Sequence, residues 1–241
     1  MQDKHYLILD FDECIFEHPA NSEEYFCQAY ADVAVKAGYP FPIETAKEHT
    51  HRCFMDHGLG NYVFDGYGFN IWDIYDEIHT HLFNDYILKF EDKIRARNLR
   101  PYFERDDFEM VILTHGPTIW PKNILPLLGL DDLFPEERII GLDKVEYRTK
   151  CTTARPFITA LRALGLERTD IDSGTHVTFV DDSARNLKMP NNLGIETIHI
   201  GPRVTEFRDV DFIHQRFENL WQFLEQLPRL GQNKSHQAKT A

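Results

Sequence analysis

Cysteine is scarce in this chain, and its four copies are not closely paired. Close spacing such as C-x-x-C is typical of zinc sites and redox motifs, and a high density of cysteine is typical of disulfide-stabilised secreted domains. Neither class fits this sequence. Reduced thiols in a cytoplasmic protein are therefore expected at Cys14, Cys27, Cys53 and Cys151.

Positive charge is also in short supply, with 26 lysines and arginines against 39 aspartates and glutamates. The formal net charge of −13 argues against non-specific binding to nucleic acid or to an anionic membrane. It does not exclude an anionic small molecule, because local cations or a bound metal can reverse the field at one site. The acidic surface is compatible with either a monomer or a homodimer.

Long apolar runs are absent as well. No stretch approaches the roughly 20 residues needed to span a bilayer. The first residues, MQDKHYLILDF, do not show a charged leader followed by a long apolar core, so no signal peptide is expected. We therefore expect a cytoplasmic protein with no membrane partner.

What the chain does contain is a set of short apolar runs that end abruptly in polar residues. Such short, β-branched runs predict buried strands of a parallel sheet, whose two faces are both covered. They lie at residues 6–9, 110–113, 177–180 and 197–200. Amphipathic helical patterns at 121–130 and 155–166 separate the second run from the third. This alternation predicts an α/β fold with a doubly wound parallel sheet flanked by helices.

Residues 16–105 have a different pattern from the rest of the chain. Helical spacing of apolar residues covers 21–38, 42–57 and 71–90, which predicts a mostly helical insertion after the first strand. We therefore predict a core domain formed by residues 1–15 and 106–230, with an α-helical cap domain at 16–105. The polar stretch 231–241 is expected to be a disordered tail.

Two stretches rich in aromatic residues allow further predictions. The loop at 62–72 can pack the insertion against the core, which we favour, or it can offer a stacking surface to a substrate. Residues 212–227 place large apolar side chains at helical spacing, which predicts one packed helix.

Acidic and hydroxyl side chains follow three of the predicted strands. Asp10 and Asp12 follow the first, Thr114 the second, and the Asp181–Asp182 pair the third. In an open parallel sheet, ligands bind beyond the carboxyl ends of the strands, so these residues are expected to share one crevice. Several carboxylates there repel one another unless a hard cation such as Mg²⁺ lies among them.

The spacing of Asp10 and Asp12 suggests a division of labour between the two carboxylates. Residues two apart on an extended chain point the same way, so both can face one substrate. One carboxylate can attack phosphorus while the other protonates the leaving oxygen and later takes a proton from water.

Together these segments resemble the four motifs of the haloacid dehalogenase (HAD) superfamily. The motifs are LILDFDECIFE, VILTHG, a downstream lysine and VTFVDDS, and the resemblance covers the core from residue 6 to about residue 201. It implies a Rossmann-like core, and the helical insertion resembles the small helical cap of this superfamily. The D-D-S of the fourth motif is similar to that of the branch that contains pyrimidine 5′-nucleotidases.

The resemblance implies a catalytic role for several positions. Asp10 would be the nucleophile that forms an aspartyl-phosphate, and Asp12 the general acid and base. Thr114 would hydrogen-bond a phosphoryl oxygen, and His115 is a candidate for substrate contact. The motif lysine, which offsets charge at phosphorus, would be Lys150, with Lys144 as the competitor in the same loop.

The resemblance also implies a magnesium site. Asp10 would give one carboxylate oxygen to the ion and Asp12 its backbone carbonyl. Asp182 would be the principal ligand of the fourth motif, with Asp181 beside it. Asn186, four residues further on, is expected near these ligands.

The function implied is a Mg²⁺-dependent phosphomonoesterase acting on a small phosphorylated metabolite, such as a nucleoside monophosphate or a sugar phosphate. Dehalogenases of this superfamily lack the second aspartate, since a departing halide needs no proton, and Asp12 therefore favours a phosphate ester. Two alternatives remain: a phosphosugar mutase with the same core residues, and a catalytically silent member that binds a phosphorylated ligand or partner.

Overall fold

The apolar runs predicted as strands lie side by side in a computed structural model that describes residues 4–57, 68–201 and 210–228. The described residues form one sheet of six strands in the order β3-β2-β1-β4-β5-β6, and every neighbouring pair is parallel. The strands are β1 (His5–Leu9), β2 (Phe108–Leu113), β3 (Ile139–Ile140), β4 (Val177–Asp181), β5 (Glu196–Ile200) and β6 (Gln215–Phe217). The predicted α/β fold with a Rossmann-like parallel sheet is confirmed.

Strand β1 lies at the centre of the sheet and sets the position of the polar strand ends. Leu7, Ile8 and Leu9 are buried, as expected for a strand covered on both faces. Leu9 pairs with Ile112 of β2 on one side and with Val180 of β4 on the other. Because parallel strands end at the same edge, the residues that follow β1, β2 and β4 come together there.

Helices account for most of the remaining described structure. The α-helices are α1 (Ser22–Lys36), α2 (Ile43–His57), α3 (Tyr75–Asp85), α4 (Glu91–Arg95), α5 (Arg100–Phe103), α6 (Ile119–Leu128), α7 (Arg155–Ala163), α8 (Arg168–Asp172), α9 (Lys188–Asn192) and α10 (Leu220–Gln226). Short 3₁₀ helices occupy Ile71–Ile74, Ile87–Phe90, Glu136–Arg138, Leu142–Val145 and Ala184–Leu187. No helix in the described ranges is long and apolar enough to cross a membrane.

The elements described between β1 and β2, which are α1 to α5 and two 3₁₀ helices, are all helical. Helix α1 packs against α2, and α3 packs against α6, which follows β2. The helices predicted at 21–38 and 42–57 are present as α1 and α2. The division of the chain into core and cap domains at residues 15 and 105 stays a prediction.

Two predicted helices are shorter than the sequence indicated. The stretch 71–90 is split into a 3₁₀ turn, α3 and a second 3₁₀ turn. The break falls at Tyr86, whose backbone leaves the helical region and whose hydroxyl donates to the carbonyls of Pro19 and Ala20 at 2.6 and 3.0 Å. This tertiary contact at the turn interrupts the helical pattern.

The prediction of one helix over 212–227 is wrong for its first half. Residues Gln215–Phe217 form the edge strand β6 on β5, and the helix α10 begins only at Leu220. The side chain of Asn219 accepts a hydrogen bond from the backbone nitrogen of Gln222 at 3.0 Å, so it caps this shorter helix. The proposed tail 231–241 and the aromatic positions 62, 64 and 67 lie outside the described residues.

Candidate active site

Asp10 is the first residue after β1 and lies almost buried, with 5% of its surface exposed. Its backbone nitrogen donates to the carbonyl of Val180 at 2.9 Å, which continues the pairing of β1 with β4 by one residue. Its Oδ1 accepts a hydrogen bond from the nitrogen of Phe11 at 2.8 Å. The carboxylate is therefore fixed at the carboxyl edge of the sheet.

Lys150 provides the positive charge that faces Asp10. Its Nζ lies 2.7 Å from Oδ1 of Asp10 and 2.6 Å from Oδ2 of Asp181, and the residue is 1% exposed. Burial acts to lower the pKa of this ammonium, but the two carboxylates outweigh it, so the pKa is raised and the lysine stays charged. Lys144, the competing candidate, donates instead to the carbonyl of Glu136 at 2.6 Å.

Three carboxylates meet around this lysine. One oxygen each of Asp10, Asp181 and Asp182 lie within 4.8 Å of one another, the one such group among the residues that the structure describes. Burial, and then the charge of Asp181, raise the pKa of Asp10 well above its ordinary value. The same two causes raise the pKa of Asp182 to about 7. One lysine thus leaves uncompensated negative charge that favours a hard cation.

Asp181 is the most enclosed member of this group. It is fully buried, and its Oδ1 accepts hydrogen bonds from the nitrogen of Ser183 at 2.8 Å and from Nδ2 of Asn186 at 2.9 Å. Asn186 therefore contacts Asp181 rather than Asp182. Asp182 lines the cavity described below.

Asp12 lies on a tight turn, not on an extended strand as predicted. Two backbone hydrogen bonds close the turn. The nitrogen of Glu13 donates to the carbonyl of Phe16 at 2.7 Å, and the nitrogen of Phe16 donates to the carbonyl of Phe11 at 2.8 Å. Glu13 has a φ of 54°, the left-handed conformation that such a turn requires. Asp12 still reaches the same cavity as Asp10, but its carboxylate is not part of the group of three.

The carboxylate of Asp12 has its own set of partners. Oδ1 lies 2.9 Å from Nε2 of His18 and 2.8 Å from Nε1 of Trp120, and the hydroxyl of Thr114 lies 3.3 Å from Oδ2. Burial acts to raise the pKa of Asp12, but the hydrogen bond and electrostatic attraction of His18, together with the hydrogen bond from Trp120, outweigh it, so the pKa is lowered.

Thr114 and His115 connect the end of β2 to this site. The hydroxyl of Thr114 accepts from the nitrogen of Gly116 at 3.0 Å. Nε2 of His115 accepts a hydrogen bond from the backbone nitrogen of Lys150 at 3.0 Å. The backbone carbonyl of His115 accepts a hydrogen bond from the hydroxyl of Tyr75 at 2.8 Å. Since Nε2 is an acceptor, the ring is neutral with its proton on Nδ1, and burial lowers its pKa well below the usual value.

His18 and Trp120 were not identified from the sequence, although both touch Asp12. Trp120 lies on α6, 108 positions from Asp12, and no local pattern connects the two residues. The sequence contained one signal for His18, which lies in the short segment between the D-x-D motif and the first predicted helix. A histidine so close in sequence to two candidate carboxylates could have been predicted to contact one of them.

A cavity of about 890 Å³ opens above these residues. Asp10, Asp12, Lys150 and Asp182 line its floor, and Arg185 lies beside them. The helical segment contributes a wall with a large aromatic and apolar share, formed by Phe26, Tyr30, Phe54, Met55, Tyr75 and His79. Trp72, from the aromatic stretch, stacks on Tyr147 with ring centroids 4.4 Å apart, and this contact is part of the packing.

Comparisons with known proteins give the fold its name. No protein-family model matches the sequence, and no curated protein matches it. Among solved structures, an HAD phosphatase from Thermococcus onnurineus matches with a TM-score of 0.56 at 17% identity, over 94% of this chain and 99% of that one. The chain has the HAD-superfamily fold.

Other HAD-fold structures align over similar lengths. A subfamily IA HAD-superfamily hydrolase from Geobacter sulfurreducens matches with a TM-score of 0.52 at 14% identity, over 93% of this chain and 100% of that one. An L-2-haloacid dehalogenase matches with a TM-score of 0.54 at 12% identity, over 92% and 98%. Phosphatases and dehalogenases both have this fold, so the fold alone does not determine the chemistry of this chain.

Proposed function

We propose that this protein is a Mg²⁺-dependent phosphomonoesterase that acts through an aspartyl-phosphate on Asp10. The observation that carries the proposal is the contact of Asp10 with Lys150 at 2.7 Å, within a group of three carboxylates, on the floor of a cavity that also contains Asp12. A nucleophile, a cation and a separate acid are the groups that phosphoryl transfer needs.

The reaction is proposed to proceed in two halves. In the first, a carboxylate oxygen of Asp10 forms a bond to phosphorus while the bond from phosphorus to the ester oxygen breaks, and Asp12 gives its proton to that oxygen. In the second, water attacks the phosphorus of the aspartyl-phosphate and passes a proton to Asp12. Asp10 leaves as a carboxylate, so the enzyme is restored and the products are an alcohol and inorganic phosphate.

Asp12 is the residue that favours phosphate esters over organohalides. An alkoxide is a poor leaving group unless it is protonated, whereas a halide leaves without a proton. The carboxyl group of Asp12 is separate from the carboxylate group around Lys150 and has hydrogen-bond partners of its own. This separation supports different tasks for the two carboxylates, because Lys150 is paired with Asp10, whereas Asp12 lines the cavity with hydrogen-bond partners of its own.

Lys150 and Thr114 are proposed to stabilise the transferring phosphoryl group. The ammonium of Lys150 is buried beside Asp10 and stays charged, so it can offset negative charge on the phosphoryl oxygens at low local dielectric. Thr114 follows β2 at the same edge of the sheet and can offer its hydroxyl to one of these oxygens.

The residues present fit a magnesium ion. Asp10 and Asp182, with Asp181 beside them, offer the oxygen ligands that Mg²⁺ prefers, and the raised pKa values of Asp10 and Asp182 reflect negative charge that one lysine does not neutralise. The backbone carbonyl of Asp12 is proposed as a further ligand. When bound, the ion would polarise a phosphoryl oxygen and neutralise charge at the site.

The leaving group is proposed to be a ring-bearing metabolite, such as the nucleoside of a nucleoside monophosphate or the sugar of a sugar phosphate. A cavity of about 890 Å³ is far larger than phosphate alone and lies in the size range of small-metabolite sites. Its wall contains Phe26, Tyr30 and Tyr75, whose rings can pack against a flat or partly apolar group. The resemblance of the fourth motif to that of the pyrimidine 5′-nucleotidase branch also supports a nucleoside as the leaving group.

The decisive experiment measures phosphate release from p-nitrophenyl phosphate by the wild-type protein and by Asp10→Asn, with Mg²⁺ and with EDTA. We expect turnover that needs Mg²⁺ and that is lost in Asp10→Asn, while thermal unfolding shows that the variant folds. Undiminished turnover in Asp10→Asn would remove this residue from the mechanism. A panel of nucleoside monophosphates and sugar phosphates then identifies the leaving group by kcat/KM.

A further inference from the structure

One oxygen of Asp12 receives two hydrogen bonds from rings. Nε2 of His18 lies 2.9 Å from Oδ1, and Nε1 of Trp120 lies 2.8 Å from the same atom. An indole nitrogen can only donate, and an imidazole nitrogen donates when it faces a carboxylate. Both bonds therefore hold Oδ1 as an acceptor.

The two rings are fixed by packing rather than by chance contact. Trp120 is fully buried, and the side chain of His18 is only 6% exposed. The rings of His18 and Trp120 stack with centroids 6.0 Å apart at 15°, and the ring of Phe16 meets the edge of His18 at 4.9 Å. A Cβ at Gly116 would lie 3.0 Å from Cδ1 of Trp120, so glycine at that position leaves room for the indole.

Only one of the two ring nitrogens of His18 has a hydrogen-bond partner within the described residues, and that partner is Asp12. Nδ1 of His18 is buried and has no hydrogen-bond partner within the described part of the chain. A buried nitrogen without a hydrogen-bond partner costs free energy. The ring is thus kept in a position that leaves one nitrogen unsatisfied and brings the other to Asp12.

These contacts determine which oxygen of Asp12 can carry a proton. Oδ1 already accepts from two N–H groups, so a proton there would clash with both donors. Among the described residues, the hydrogen-bond partner of Oδ2 is the hydroxyl of Thr114, which donates at 3.3 Å, a distance too long for a strong O–H···O bond, and this hydroxyl can rotate to accept when Oδ2 carries a proton. The acid proton of Asp12 therefore belongs on Oδ2.

We propose that His18 and Trp120 are positioning residues that hold Oδ1 of Asp12 so that Oδ2 presents its proton to the leaving oxygen. The inference rests on the proposed function, because it assigns a role within that reaction. It goes beyond that function by giving two residues, one of them on the segment leading into α1, control over the protonation of the leaving group. Trp120 is fully buried, and His18, although it lines the cavity, is assigned its role through Asp12.

The test compares leaving groups that differ in their need for a proton. The variants are His18→Ala, His18→Gln and Trp120→Phe, and the substrates are p-nitrophenyl phosphate and a primary alkyl phosphate. The quantity is kcat/KM, which reports the steps up to departure of the alcohol and is insensitive to later hydrolysis of the aspartyl-phosphate.

We expect His18→Ala to lower kcat/KM for the alkyl phosphate about 10²-fold, the lower range for general acid catalysis, and to lower it less than about tenfold for p-nitrophenyl phosphate. His18→Gln should recover most of the alkyl phosphate activity, since its amide nitrogen can still donate to Oδ1. Trp120→Phe removes one donor while it keeps a large ring, and should show the same leaving-group dependence in weaker form.

A histidine outside the site provides the matched control. His176 is 70% exposed in its side chain, and His176→Gln should leave kcat/KM for both substrates unchanged. Equal losses on both substrates in His18→Ala, or no recovery in His18→Gln despite a normal melting temperature, would overturn the positioning role. If the wild-type protein releases no phosphate from either substrate, the proposed function itself fails, which is a distinct result.

Discussion

Nζ of Lys150 lies 2.7 Å from Oδ1 of Asp10, in a place where the lysine is 1% exposed. A buried ammonium is costly unless it is paired, and here Asp181 provides a second carboxylate at 2.6 Å. With Asp182 beside them, the three carboxylates carry more negative charge than one lysine cancels. The arrangement is therefore balanced only when further positive charge enters the site.

The lysine assignment gives a direct prediction. Lys150→Ala should lower kcat for phosphate ester hydrolysis by about 10²-fold or more, the usual effect of removing one group that stabilises charge at the transition state. Lys144→Ala should retain wild-type kcat, because the ammonium of Lys144 donates to the carbonyl of Glu136, whereas the ammonium of Lys150 contacts Asp10 and Asp181. Steady-state kinetics on both variants decides the matter, and the reverse ranking would show that Lys144 is the motif lysine.

Magnesium binding should depend on pH through Asp182. Its pKa is raised from 3.8 to about 7, so in the metal-free folded protein the group keeps its proton near pH 5.5 and must lose it to bind an ion. Displacing one proton from a group with a pKa of about 7 weakens binding about 30-fold at about pH 5.5. The increase in melting temperature caused by Mg²⁺ should therefore be clearly larger at about pH 7.5.

In the metal-free protein, the contribution of Asp182 to folding stability has the opposite dependence on pH. Because the folded pKa of Asp182 lies above the unfolded value of 3.8, its contribution to stability is greatest below about pH 4 and is lost as pH rises toward 7. Asp182→Asn should flatten this part of the stability curve and abolish the Mg²⁺ effect on melting. The assignment would be contradicted if the melting temperature of the metal-free wild-type protein rose between about pH 4 and pH 7 and this rise were absent in Asp182→Asn.

Asp12→Asn should separate the two halves of the reaction. With p-nitrophenyl phosphate the leaving group needs no proton, so Asp10 can still be phosphorylated, but the water that attacks the intermediate lacks a base. We expect a rapid burst of nitrophenolate close to one equivalent per enzyme, followed by slow turnover. Stopped-flow absorbance and intact-protein mass spectrometry measure the burst and the phosphoryl group on the enzyme. Steady release at the wild-type rate, with no burst, would show that Asp12 is not the base.

The short C-terminal helix offers a test of stability. The side chain of Asn219 caps α10 through the nitrogen of Gln222 at 3.0 Å. Asn219→Ala should lower the free energy of unfolding by about 1 kcal/mol, the usual cost of losing such a cap, and Asn219→Asp should retain most of it. Urea denaturation measures both, and equal stability of Asn219→Ala and wild type would argue against the cap.

The sheet and its strand ends were predictable because their signal is local. Buried parallel strands read as short apolar runs, and Asp10, Thr114 and Asp181 stand at or next to the ends of such runs. The strand β6 was not predictable in the same way. It has three residues, it gains its hydrogen bonds from β5, and Phe217 falls at helical spacing with Leu220 and Leu224 of the helix that follows.

The partners of Asp12 show the other limit. Trp120 approaches Asp12 because α6 begins shortly after the end of β2, which pairs with β1, and His18 does so because the chain turns back on itself at Glu13. Contacts of this kind depend on tertiary packing and leave no periodic trace in the sequence. The candidate catalytic residues were therefore predictable from the sequence, while the residues that contact Asp12 were not.

His115 joins the wall of the cavity to its floor. Its carbonyl accepts the hydroxyl of Tyr75 on α3, and its ring accepts the backbone nitrogen of Lys150. Helix α3 is therefore connected to the loop that carries the lysine through His115 and these two hydrogen bonds. Under the proposed function, we expect substitutions on α3 chosen to admit a different metabolite to change kcat as well as KM.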